Sequence, residues 1–164
     1  MSTDDDSHDL TALRARLKAA RERLASLPIS NRPDAGPADP STGESWHRGN
    51  VLGHMDEMLG YWHDQIRRAT EGSGNVGRDE AGSQLRRRGI DRGEADKEGD
   101  LRFGVDAGIG NFLEMLEAWS PADLERTVVF HNREGDREAR LGELLQMLVV
   151  GHVEQHITQL ASLD

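Results

Sequence analysis

The chain has 164 residues, no cysteine, a net charge of −10, and 35% hydrophobic against 30% charged residues. A chain of that length fits one domain, 1–164, able to bury roughly two thirds of its unfolded surface. The acidic balance argues against a general nucleic-acid binder or adhesion to anionic lipid, because both need a basic surface, and no apolar run approaches the roughly 20 residues that span a bilayer.

The missing cysteine has its own consequence. It removes any disulfide framework and any thiolate ligand, so a soft nucleophile has to come from outside the chain. The start, Met1-Ser-Thr-Asp-Asp-Asp, lacks the basic and apolar regions of a secretory signal, and a cytoplasmic protein is expected.

Leu10, Leu13, Leu17, Ala20 and Leu24 recur at helical spacing and predict a first helix over 6–27, with acidic residues at its start and Pro28 at its end. Residues 31–45, with Pro33, Pro37, Pro40, Gly36 and Gly43, read as a connector. A second helix is expected over 49–70, with Val51, Leu52, Met55, Met58, Leu59, Trp62 and Ile66 on one face. Residues 71–99 are rich in glycine and charge and lack a strong period. They read as a long crossover loop, flexible or lid-like.

A third helix follows over 100–119, carrying Leu101, Val105, Ile109, Phe112, Leu113, Leu116 and Trp119. Ser120-Pro121 looks like an N-cap with proline at the first helical position, so a short helix over 121–126 is expected. The β-branched and aromatic run Thr127-Val-Val-Phe, then Asn132-Arg-Glu-Gly135, suggests a small hairpin. The fourth helix, 141–163, has the most regular stripe: Leu141, Leu144, Leu145, Leu148, Val149, Leu160 and Leu163. Four amphipathic helices and one long connector predict an all-α four-helix bundle.

Histidines interrupt that order. His152 and His156 lie one turn apart on the apolar stripe of the fourth helix, and His54 lies at the edge of the stripe of the second. An unsatisfied buried polar group costs on the order of 1–3 kcal/mol. One divalent metal ion would satisfy three imidazoles together and leave a coordination position open. Packed, hydrogen-bonded core histidines are the competing reading. A zincin is excluded, because Glu154 follows His152 by two residues and lies about 200° round the helix, facing away. Glycine precedes both core histidines, in Val51-Leu52-Gly53-His54 and Val149-Val150-Gly151-His152, which suggests close helix approach or room for a ligand.

These residues resemble the DinB-like superfamily, which includes YfiT-like thiol transferases and the N-terminal part of mycothiol-dependent maleylpyruvate isomerases. The resemblance covers nearly the whole chain. It rests on Ser45-Trp46, Val51-Leu52-Gly53-His54, Tyr61-Trp62, Leu141-Gly-Glu-Leu-Leu and Gly151-His-Val-Glu-Gln-His156-Ile-Thr-Gln-Leu160. It implies an up-down-down-up bundle with a long crossover, His54, His152 and His156 as a metal triad, and a homodimer. The implied chemistry is transfer of a low-molecular-weight thiol to an electrophile, as in a detoxification S-transferase. A metal-dependent hydrolase, an isomerase and a non-catalytic metal- or ligand-binding stress protein are the alternatives.

Zinc is the default metal, and nickel, iron and manganese also accept imidazole. Only Lys18 and Lys97 are lysines, while arginine and glycine abound, in the style of high-GC bacterial genomes. Mycothiol is the co-substrate that this style implies. Further candidates are His47, on the face of His54 if the helix starts early; Tyr61, as a hydrogen-bond donor to substrate or a core residue; and His131, near the hairpin. Arg86, Arg87 and Arg88 read either as a carboxylate clamp or as a solvated run. Trp46, Trp62 and Trp119 read as packing residues, and His63 as solvated.

Overall fold

Each apolar stripe becomes the buried face of a helix in the computed structural model, which describes residues 5–30 and 35–163. The chain start, on which the reading of a missing signal rests, and residues 31–34 of the connector lie outside the described residues. After a 3-10 turn (Asp6–His8), α1 (Leu10–Ser26) is capped by the Asp9 side chain and buries Leu13, Leu17 and Leu24. Helix α2 (Arg48–Arg68) buries the seven apolar residues expected of it and runs on into a π turn (Ala69–Ser73).

Residues 71–99 are not the long flexible or lid-like loop that their composition suggested. They hold a short strand, β1 (Asn75–Gly77), and a full helix, α3 (Glu80–Ala95), packed along α2. The physical reason is glycine. The face that α3 turns inward carries Gly82, Gly89 and Gly93 beside Ile90, so the helix buries backbone where a period search looks for apolar side chains. Gly49 and Gly53 of α2 face Gly93 and Gly89, and a Cβ on any of the four would overlap backbone or side-chain atoms of the other helix. Asn50 Nδ2 donates to the Ile90 carbonyl at 2.9 Å and pins the register.

Helix α4 (Glu98–Glu117) follows, then α5 (Pro121–Glu125) with its proline at the first position and a Ser120–Asp123 capping box. The hairpin is present as β2 (Thr127–Asn132) and β3 (Gly135–Arg140), and β1 pairs parallel to β2. The all-α expectation therefore holds for the bundle, and a three-stranded sheet in the order β1-β2-β3 is added to it. The last helix runs from 141 to 162 as α6 (Leu141–Leu145), a π turn (Gln146–Val150) and α7 (Gly151–Ser162).

Helices α1, α2, α4 and α6–α7 share one core, in which each fully buried leucine or isoleucine contributes about 1.5–3 kcal/mol. A buried arginine ties its lower end together. Arg48, 2% exposed, donates to Glu98 of α4 at 2.7 Å, to the Pro28 carbonyl after α1 at 2.9 Å and to the Leu160 carbonyl of α7 at 3.2 Å. The starts of α2 and α4 are thereby fixed against the end of α7, which holds α2 and α7 at a constant offset.

Candidate metal centre

That offset decides where the histidines meet. His54 projects from α2, and His152 and His156 project from α7 just after the π turn. One ligand nitrogen from each lies within 4.8 Å of the other two, close enough to share a single ion. Ring centroids stand 5.3 Å apart for His54 and His152, 4.9 Å for His54 and His156, and 4.6 Å for His152 and His156.

Two of their ring nitrogens are left without a hydrogen-bond partner. His156 Nδ1 lies 2.9 Å from Gln159 Oε1, which selects the tautomer that carries its proton on Nδ1. His156 Nε2 is buried without a hydrogen-bond partner, and so is His54 Nδ1. His152 donates to the Leu148 carbonyl one turn earlier. Two orphaned ring nitrogens on histidines that cluster with a third are what a divalent ion would satisfy, and neutral nitrogens are the form that ligates. The Gln159 bond is of the kind that would orient His156 toward an ion.

The electrostatics point the same way. Burial pushes His54 from its ordinary 6.5 down to about 2, and the neighbouring imidazoles together with Arg86 and Arg78 push in the same direction. Burial and then His156 bring His152 down to about 4. Burial also lowers His156, against the opposing Gln159 bond. All three stay neutral near pH 7.

Trp46, read from sequence as packing, does pack, but against the centre itself. Its ring lies 5.2 Å from that of His54 and is stacked 5.9 Å from that of His156. Of the arginine run, Arg86 turns inward, with its guanidinium 5.6 Å over Trp46, while Arg87 and Arg88 are exposed. His47 is the N-cap of α2. Its Nδ1 accepts from the Gly49 and Asn50 amides at 3.1 and 3.4 Å, so it shapes the helix start and is no partner of the triad. The Tyr61 hydroxyl already donates to the Gly77 carbonyl at 2.7 Å.

His131 belongs to the sheet, with its two nitrogens 2.7 Å from Asp136 and Asn75. His63, expected to be solvated, is half-buried edge-on against Phe112. Glu154 faces away from the triad and pairs with Arg16 of α1, as its helical phase required. The sequence reading missed Arg78. It forms a two-bond ion pair with Glu57 at 2.7 and 2.9 Å and lies over the Tyr61 ring at 4.1 Å. A single arginine between a short strand and a helix carried no signal that could have singled it out.

The family model of the DinB superfamily matches residues 12–160. The chain belongs to the DinB superfamily. Comparisons with curated proteins and with solved structures gave no match. The matched span contains all three histidines and every helix from α2 to α5.

Proposed function

We propose that this DinB-superfamily protein holds a divalent ion on His54, His152 and His156 and uses it to activate a low-molecular-weight thiol for transfer to an electrophile. The observation that carries the reading is the pair of buried, unpartnered ring nitrogens, His54 Nδ1 and His156 Nε2, on two of three histidines that each offer a nitrogen within 4.8 Å of the others. A bound divalent ion supplies Lewis acidity, which lowers the pKa of a thiol that reaches it and makes thiolate available near neutral pH. Zinc is the default, with nickel, iron or manganese as substitutes on the same donors.

The chain supplies the rest. Gln159 and the Leu148 carbonyl hold two imidazoles in the ligating tautomer and orientation. Trp46 covers one side of the triad and keeps water from that face. Arg78 and Arg86 place positive charge near the histidines, which favours an anionic sulfur over a neutral one. With no cysteine in the chain, the sulfur is external, and mycothiol is the proposed source. The same reading makes the protein a cytoplasmic detoxification enzyme, a homodimer whose partners are small molecules.

The test is consumption of thiol and chlorodinitrobenzene by zinc-loaded protein, run beside hydrolysis of p-nitrophenyl acetate without thiol. Thiol-dependent turnover that vanishes in His152→Ala is expected. Ester hydrolysis with no thiol requirement would replace the reading with a hydrolase, and metal binding with neither activity would replace it with a binding protein.

A further inference from the structure

The connector leaves a cleft of about 220 Å³ beside the histidine centre, lined among others by Asp39, Thr42, Glu44, Trp46, Arg86 and Gln159. Two of its walls are also parts of the centre, because Trp46 packs on His54 and His156 and Gln159 holds His156 Nδ1. The question is what such a cleft would take.

Arg78 and Arg86 are the two arginines whose charge bears on the triad, and their states differ. Arg78 is saturated. It has two bonds to Glu57 and one to the Gly82 carbonyl at 2.6 Å, and its side chain is 14% exposed. Among the described residues Arg86 has one polar partner, Glu44 at 3.2 Å, on a side chain 33% exposed, and its guanidinium carbon lies 5.6 Å from the centre of the Trp46 ring. Asp39, the other carboxylate of the cleft, is committed to the turn it caps. It accepts from the Ser41 and Thr42 amides at 2.7 and 3.0 Å and from the Ser41 hydroxyl at 2.5 Å. A guanidinium has five donors in a planar fork. One contact to a glutamate on a loop leaves most of that fork unused, and a free guanidinium fork suits a planar oxyanion.

We infer that Arg86 is a specificity-determining residue, which selects ligands of the centre bearing a carboxylate by exchanging its Glu44 partner for the carboxylate of the ligand. Trp46 forms the floor along which the ligand lies between the guanidinium and the histidines. The cleft, at about 220 Å³, is smaller than the 300–1,000 Å³ pockets that take drug-sized molecules and suits a small acid. Glu44 acts as the resident competitor, so the site discriminates against neutral ligands without leaving Arg86 unpaired when empty. This inference rests on the proposed function only in taking the triad as the place where the other end of the ligand binds; mycothiol carries no carboxylate, so the acid that Arg86 selects is the electrophile, and the mercapto acid used below probes both ends at once.

The experiment uses the full chain loaded with zinc and follows Trp46 fluorescence, with Trp62→Phe and Trp119→Phe substituted to isolate it. The probes are 6-mercaptohexanoate, the neutral 6-mercaptohexanol, and hexanoate, which lacks the thiol. The acid thiol is expected to bind about tenfold more tightly than the alcohol, the lower end for a charge-assisted hydrogen bond. Arg86→Gln brings that ratio to about one, Arg86→Lys leaves part of it, and Glu44→Gln raises it, with zinc content unchanged in all three. A ratio that Arg86→Gln leaves intact overturns the inference. Hexanoate separates the two claims: Arg86-dependent binding of hexanoate with no zinc-dependent binding of either thiol upholds the role of Arg86 and defeats thiol activation instead.

Discussion

Acidifying the metal-free protein from pH 7 to pH 5 should cost it about 4 kcal/mol of folding stability through two histidines alone. In the unfolded chain an imidazole titrates near its ordinary 6.5, so at pH 5 it is almost fully protonated. In the folded chain His54 is held down to about 2 and His152 to about 4, and both stay neutral at pH 5. The unfolded state therefore binds protons that the folded state refuses. Their contribution is complete above pH 6.5 and is lost as the pH falls below it, by about 1.4 kcal/mol per pH unit for each group. Over the 1.5 units from 6.5 to 5 that is about 2 kcal/mol each, a large share of the roughly 5–15 kcal/mol of a typical domain.

His156, lowered by the same burial, adds to the loss in the same direction. Asp64 and Asp106, held below the ordinary carboxylate range by Arg67 and Arg21, titrate at lower pH and leave the window to the histidines. Urea denaturation in the presence of a chelator at pH 7, 6 and 5 measures the slope. His54→Leu should flatten it by about 1.4 kcal/mol per unit. An unchanged slope in that variant would refute the buried, neutral state assigned to His54.

Gly93→Ala pushes a Cβ into the Gly49 carbonyl and should destabilise the fold by about 2 kcal/mol in chemical denaturation, with loss of zinc affinity as α2 shifts; wild-type stability would contradict the close α2–α3 packing. Gln159→Leu removes the acceptor that orients His156 and should weaken zinc binding about 10-fold to 100-fold in a competition titration with a chelator, an effect that a merely packed histidine would not produce. Glu57→Gln strands the half-buried Arg78 charge and should cost about 3 kcal/mol of stability, measured in the same way. A cost within about 0.5 kcal/mol, as for a surface substitution, would show that water reaches that ion pair.

The helices that face the core with leucine, isoleucine and methionine were legible because a 3.6-residue period in large apolar side chains is what core burial requires. α1, α2, α4 and the last helix were found within a few residues of their ends. Helix α3 was invisible for the complementary reason. Its inward face is glycine, which packs by letting backbones approach and leaves no apolar stripe to detect. Strand β1 is three residues long and exists by pairing with β2, a long-range contact that no local pattern encodes.

The three histidines could be picked out because a pair one turn apart on an apolar stripe, with a third on another helix, is costly to bury without partners. Their surroundings could not. Trp46 precedes α2 in an irregular segment, and only the folded chain brings it onto His54 and His156. Arg86 differs from Arg87 and Arg88 by helical phase alone, and that phase has no meaning until α3 is known to be a helix.

The central claim is that three imidazoles from α2 and α7 hold one ion. An anomalous difference map at the zinc edge, from crystals grown with zinc, tests it most directly. A single strong peak is expected about 2.0–2.1 Å from a nitrogen of each of His54, His152 and His156, with a further coordination position open. A map without density there, or with the peak held by other residues, would contradict it.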